Sequence, residues 1–152
     1  MTMRIALLAA LAASLPVRAA EDLKETKMVY DVTEGDGQKL LGRIETIDET
    51  REDIAKAGGR PVIVLSFRGP ATKLVQTDMA KVKPEDRAWA AKIQARLEAM
   101  SKSPSVALEQ CAVAIRHQST SRDKVLPVIK VVENSFITIA AYQAQGYAYI
   151  VP

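Results

Sequence analysis

Pro61-Val62-Ile63-Val64-Leu65-Ser66-Phe67 is an almost unbroken apolar run, with Gly58-Gly59 before it and Gly69-Pro70 after it. A strand with one wet face alternates apolar and polar residues. A continuous run instead suits a sheet covered on both faces, as parallel sheets are. Upstream, Met28-Val29-Tyr30-Asp31-Val32 reads as a first strand. Leu40, Leu41, Ile44, Ile47, Arg51 and Ile54 then recur at three- and four-residue spacing, an amphipathic helix closed by Gly58-Gly59. Downstream, Ala71 to Lys83 is the least regular connection. Pro84 suits a first helical position with Glu85 and Asp86 in the opening turn, and Trp89, Ile93, Leu97 and Met100 form the buried stripe. Ser105 to Gln110 is a third strand, Ala112 to Gln118 a short helix, and Pro127 to Val132 a fourth strand. Ser135 is expected to cap a helix from Phe136 to Gln145, Gly146 to end it, and Tyr147 to Val151 to form the last strand. Five alternations of strand and helix predict an α/β fold with right-handed parallel crossovers. At this length the expected form is a doubly wound five-stranded parallel sheet of order 2-1-3-4-5.

The first residues read as an export signal rather than as part of this domain. Arg4 supplies a positive start, Ile5 to Leu15 an apolar stretch, and Val17-Arg18-Ala19 a cleavage pattern of small residues. The apolar stretch falls short of the roughly 20 residues a membrane crossing requires. The expected organisation is a signal peptide over 1–19, an N-terminal extension over 20–26 and one domain over 27–152. An exported, periplasmic product with no membrane span after cleavage is therefore expected. The formal net charge of +3 includes Arg4 and Arg18, so the mature chain is close to neutral. With few aromatic residues and no Lys/Arg cluster, the chain offers no electrostatic basis for nucleic-acid binding. One cysteine cannot form an internal disulfide, so the fold must be held by packing.

That cysteine, Cys111, is the one residue for which the sequence argues chemistry. It ends the run Ser105-Val106-Ala107-Leu108-Glu109-Gln110 and precedes Ala112-Val113-Ala114-Ile115-Arg116. A thiol at a strand-to-helix junction meets unpaired backbone N–H groups, which favour the nucleophilic thiolate. With strand order 2-1-3-4-5, the first and third strands are neighbours whose connections leave toward opposite faces. The crevice between them, with Asp31 to Gly37 on one side and Cys111 on the other, is where a ligand is expected.

Cys111-Ala112-Val113-Ala114-Ile115-Arg116 resembles the C-x-x-A-x-x-R stretch of the DsrE/DsrF/TusD sulfur-relay proteins, with the arginine offset by one residue. Phe67-Arg68-Gly69-Pro70 resembles the glycine-bearing turn after their second strand, and Gln143 to Ile150 the ending of exported DsrE-like proteins. The resemblance spans most of Lys27 to Pro152. It implies a flavodoxin-like domain, assembly into ring-like oligomers, and a cysteine carrying sulfane sulfur as a persulfide. Arg116-His117-Gln118 stands where relay members show a basic pair and glycine, and those proteins act in the cytoplasm. Only Cys111 is therefore carried over, as candidate nucleophile and sulfur carrier.

Thr33, Gly35, Ala112, Val113 and Arg116 are candidate substrate-binding residues around that thiol. Thr33-Glu34-Gly35-Asp36-Gly37 could turn backbone N–H groups toward an anion, but its two acids would repel phosphate. It is read as a turn and helix cap at the rim. Arg116 could hold the charge of a sulfur anion, or be a solvated helix residue. His117, six helical steps of about 100° from Cys111, is read as an ordinary exposed histidine. Asp31 is either at the crevice or at the sheet's rim, and a buried carboxylate there would need a partner. Glu45, Asp48, Glu49, Arg51, Glu52 and Asp53 read as a solvated helix face, and no His/Cys cluster has zinc-like spacing. No cofactor is expected, since the hydroxyl-rich phosphate loop of flavin binders is missing. The helix Phe136 to Tyr142 is apolar nearly all round, which predicts deep burial or a subunit interface, and hence a homo-oligomer. The leading expectation is an exported protein that takes sulfane sulfur on Cys111 and passes it to a thiol or persulfide partner protein. The alternative is a non-catalytic oligomeric protein that binds a small anion or a partner protein, with Cys111 as inert packing.

Overall fold

The structure, a computed structural model, describes residues 24–152; the expected signal peptide lies outside the described residues. Five parallel strands make one sheet: β1 (Glu25–Val32), β2 (Arg60–Phe67), β3 (Val106–Cys111), β4 (Lys130–Val132) and β5 (Ala148–Ile150). The helices are α1 (Gly37–Lys56), α2 (Arg87–Met100), α3 (Ala112–His117) and α4 (Ser135–Ala144). Short 3-10 turns, Gly69–Val75, Met79–Lys81 and Pro84–Asp86, fill the irregular connection before α2. The strand β1 begins at Glu25, two residues inside the segment read as an extension.

The α/β class and the five-stranded parallel sheet, flavodoxin-like in its layering, are as read from the sequence. The strand order is not: it runs β4-β3-β2-β1-β5 rather than 2-1-3-4-5. The physical reason lies in β2. An order of 2-1-3-4-5 would leave the most continuously apolar strand at an edge, with one side unpaired. The observed order pairs β2 with β1 along eight residues and with β3 along five, and puts the three-residue strands β4 and β5 at the edges.

The order also decides which face each helix covers. Three connections step from β1 to β4 in one direction, and the last returns across the sheet to the far side of β1. Right-handed crossovers then place the first three on one face and the last on the other. Accordingly, Leu40, Ile44, Ile93, Leu97 and Ile115 share one core with Met28, Tyr30, Val32, Ile63, Leu65, Phe67 and Leu108. On the opposite face, Ile139 of α4 packs on Val29 and Val64, flanked by Tyr142 and Tyr147.

Local chemistry sets the helix ends. Asp36 caps α1 by accepting the Lys39 N–H, and Asp86 accepts the Gly37 N–H at 2.9 Å. The start of α4 is capped by Asn134, whose side chain accepts the Phe136 N–H at 3.0 Å. Ser135, expected as the cap, is instead the first helical residue. Trp89 is only half-buried, and Ala90 joins Ile93, Leu97 and Met100 in the buried stripe of α2. Asp48, placed by the sequence on a solvated face, is buried and bonds Arg51 at 2.8 Å and Arg96 of α2 at 3.3 Å. It ties the two long helices together.

Candidate functional site

Side chains alternate along β3. Leu108 and Gln110 face α1 and α2, where the Gln110 amide donates to Thr72 Oγ1 at 3.0 Å. Glu109 and Cys111 face α4. Tyr142 of α4 donates its hydroxyl to Glu109 Oε1 at 2.7 Å, and burial together with that carboxylate pushes the phenol well above its usual range. Two residues on, Cys111 ends the strand and occupies the cap position of α3.

The chain leaves β3 toward the α1/α2 face and leaves the neighbouring β4 toward α4, so a crevice opens between their C-terminal ends. Cys111 sits there in register with Val132. The expected crevice between β1 and β3 does not exist, because β2 lies between them. The thiol still meets a switch point, on the other side of its strand.

The Ser135 N–H, at the start of the ten-residue α4, donates to Cys111 Sγ at 3.4 Å. Burial opposes ionisation of the thiol. The adjacent Ser135 hydroxyl and N–H, with the N–H groups of Ala114 and Val113, outweigh it and hold the thiol below its ordinary pKa. The Ser135 hydroxyl lies beside the sulfur without a well-formed hydrogen bond of its own among the described residues, although the residue is fully buried. Cys111 is itself 3% exposed, yet it lines a pocket of about 270 Å³ with Arg68, Gly69, Val113, Ala114, His117, Ser135 and Phe136.

Of the residues singled out from sequence, this pocket gathers Cys111 and Val113. Ala112 is buried beside them, whereas Arg116 is exposed and does not line the pocket. Thr33 and Gly35 line a separate pocket of about 490 Å³ that mixes Lys73, Lys81 and Lys83 with Glu34, Asp36, Glu85 and Asp86. Gly35 has a packing reason to be glycine: a Cβ there would stand 2.5 Å from the Pro70 Cβ. His117 is exposed as expected but forms part of the thiol pocket's wall.

Arg68, Ser135 and Phe136 were not singled out. Arg68 follows β2 directly and is turned into the pocket region by Gly69, whose φ of +55° is one that glycine adopts freely. The signal for it is the Phe67-Arg68-Gly69-Pro70 turn, which points to the thiol only once β2 is known to neighbour β3. Asp31 has the partner that its burial demands. Arg68 Nε donates to Asp31 Oδ1 at 2.6 Å and an Nη donates to Oδ2. Tyr149 donates its hydroxyl to the same Oδ2 at 2.6 Å. The guanidinium also lies 4.7 Å from the centroid of the Phe136 ring. Among the described residues, no group of three His, Cys, Asp or Glu is placed to hold a metal ion, and no helix is long and apolar enough to cross a membrane.

No protein-family model matches the chain. It is 27% identical over 124 residues to an uncharacterized protein of Aquifex aeolicus (strain VF5). That match takes in 82% of this chain and 55% of the relative, so the chain spans about half the relative's length. A solved structure of a protein of unknown function from Methanobacterium thermoautotrophicum superposes with a TM-score of 0.67 at 17% identity. The superposition covers 84% of this chain and 99% of that one, and it shows a shared fold.

Proposed function

We propose that the chain is an exported, DsrE-like carrier of sulfane sulfur, with Cys111 as the nucleophile. The observation that carries this reading is the Ser135 N–H on Cys111 Sγ at the floor of the pocket between β3 and β4. That contact, reinforced by the first turn of α3, favours an anionic sulfur both before and after transfer. In the reaction, the Cys111 thiolate attacks the outer sulfur of a donor persulfide. The donor's S–S bond breaks as the new S–S bond to Cys111 forms. The electron pair leaves with the donor's inner sulfur, which takes up the proton, and Cys111 is left as the persulfide anion. Attack by an acceptor thiolate on the outer sulfur reverses these roles. Incubation with polysulfide followed by mass spectrometry should give a one-sulfur adduct on the wild type and none on Cys111→Ser. Equal adducts, or none on the wild type, overturn the reading.

The alternative, a binding protein with an inert cysteine, draws support from the near-complete burial of Cys111. Phe136 and Ile137 favour self-association in either reading, since α4 presents them at 62% and 68% exposure. Alkylation kinetics separate the two. Rapid labelling of the native protein supports the carrier, and labelling only in denaturant supports the alternative.

A further inference from the structure

We propose that the Cys111 pocket selects small singly charged anions, with Arg68 as the anion-holding residue and Asp31 and Tyr149 as the residues that position it. This deepens the sulfur-carrier reading by naming the charge class of the donor, and it rests on that reading only for the identity of the transferred atom.

The guanidinium of Arg68 is restrained on one edge and one face. Its Nε and one Nη form a fork to Asp31, a carboxylate 2% exposed one residue before the end of β1, and its central carbon lies over the Phe136 ring. Tyr149, from β5, holds the carboxylate in turn. Two strands and the helix α4 therefore contribute to fixing one side chain. A carboxylate placed deep in an apolar strand is costly unless paired, and here it fixes the direction of a cation. Arg68 also lines the pocket that holds Cys111.

The rest of the lining is consistent with an anionic occupant. It includes no carboxylate. Its other polar groups are His117 and the buried, unpartnered hydroxyl of Ser135, while Gly69, Val113, Ala114 and Phe136 are apolar. Asp31 offsets the charge of Arg68, so the pair offers a directed donor and a modest field rather than a full positive charge. That suits a monoanion with a small apolar body. A doubly charged oxyanion would need a second cation, and Arg116 is not in the lining. At about 270 Å³ the pocket takes a ligand of few heavy atoms.

Iodoacetate and iodoacetamide are nearly isosteric thiol reagents that differ by one negative charge. On the full chain, Cys111 should prefer iodoacetate, relative to iodoacetamide, more strongly than an unstructured cysteine peptide does. Arg68→Gln should reduce that preference about tenfold and Tyr149→Phe about twofold, with the iodoacetamide rate little changed. Arg68→Lys should recover only part of it, because a lysine cannot form the fork to Asp31. If the Arg68 variants do not fold, propionate should still protect wild-type Cys111 from iodoacetamide while propionamide does not. A wild-type preference no greater than the peptide's, a preference unchanged in folded Arg68→Gln, or equal protection by propionamide overturns the proposal. A charge preference without any sulfur adduct leaves this site standing and removes the sulfur reading. An adduct without charge preference does the reverse.

Discussion

Beneath α1 and α2, strands β1, β2 and β3 present Met28, Tyr30, Val32, Ile63, Leu65, Phe67 and Leu108 to one continuous core. Beneath α4 the same strands present Val29, Asp31, Val64, Ser66, Glu109 and Cys111, and a single ten-residue helix covers them. Three neighbouring residues on that second face, Asp31, Ser66 and Glu109, are in register across the sheet. Ser66 Oγ and Glu109 Oε2 have no hydrogen-bond partner among the described residues. A buried unpaired polar group costs about 1–3 kcal/mol, so these two groups subtract from what packing supplies on this face. The first face carries the larger apolar core, and the second carries the carboxylates Asp31 and Glu109 and the thiol.

Substitutions on the two faces should therefore differ in kind. The largest effect is expected from Phe67→Ala on the packed face. The residue is fully buried, and its loss should cost about 3–5 kcal/mol in urea unfolding. That is a large part of the 5–15 kcal/mol typical of a domain. A loss near 1 kcal/mol would mean that the face is less tightly packed than its burial indicates. Asn134→Ala removes the cap of α4 and should cost about 1 kcal/mol. It should also raise the pH midpoint of Cys111 alkylation, because the Ser135 N–H is then held less firmly on the sulfur. The sign of the linkage is definite. Folding lowers the thiol's pKa, so the folded state gains stability as pH rises from the folded pKa to the ordinary cysteine value. That gain is lost as pH falls through the folded pKa, and it should vanish in Cys111→Ser. The smallest effect belongs to Ser66→Ala, which deletes a hydroxyl that bonds nothing among the described residues. It should leave stability unchanged or raise it by less than about 1 kcal/mol. A clear loss would show that Ser66 has a role on this face that its contacts do not reveal.

Element type and placement were legible because periodicity reports directly on which side of a strand or helix is buried. Leu40, Ile44, Ile93 and Leu97 all fall in the core that their spacing implies. Strand order was harder, because the right-handed rule limits the hand of a crossover and not its direction along the sheet. The relevant clue was nonetheless present: Pro61 to Phe67 is apolar without interruption, and such a strand belongs in the middle. Cys111 could be placed at the end of the sheet because a strand that runs straight into a helix carries its last residue there, but the crevice assigned to it, between the first and third strands, was the wrong one. Arg68 and Ser135 could not be placed there. They reach the thiol from β2 and from the start of α4, and pairing across strands leaves no periodic trace in a single sequence. Asp31 marked a need without naming its partner. A carboxylate inside an apolar strand announces that some cation must approach it, and only the fold shows which.

Both borders of the sheet are three residues long, with Lys130 exposed on one and Tyr149 on the other. Such stubs offer little backbone for a neighbouring molecule to zip onto, so ladder extension from chain to chain is disfavoured. Any contact between copies is therefore expected to run through side chains rather than through a shared backbone ladder.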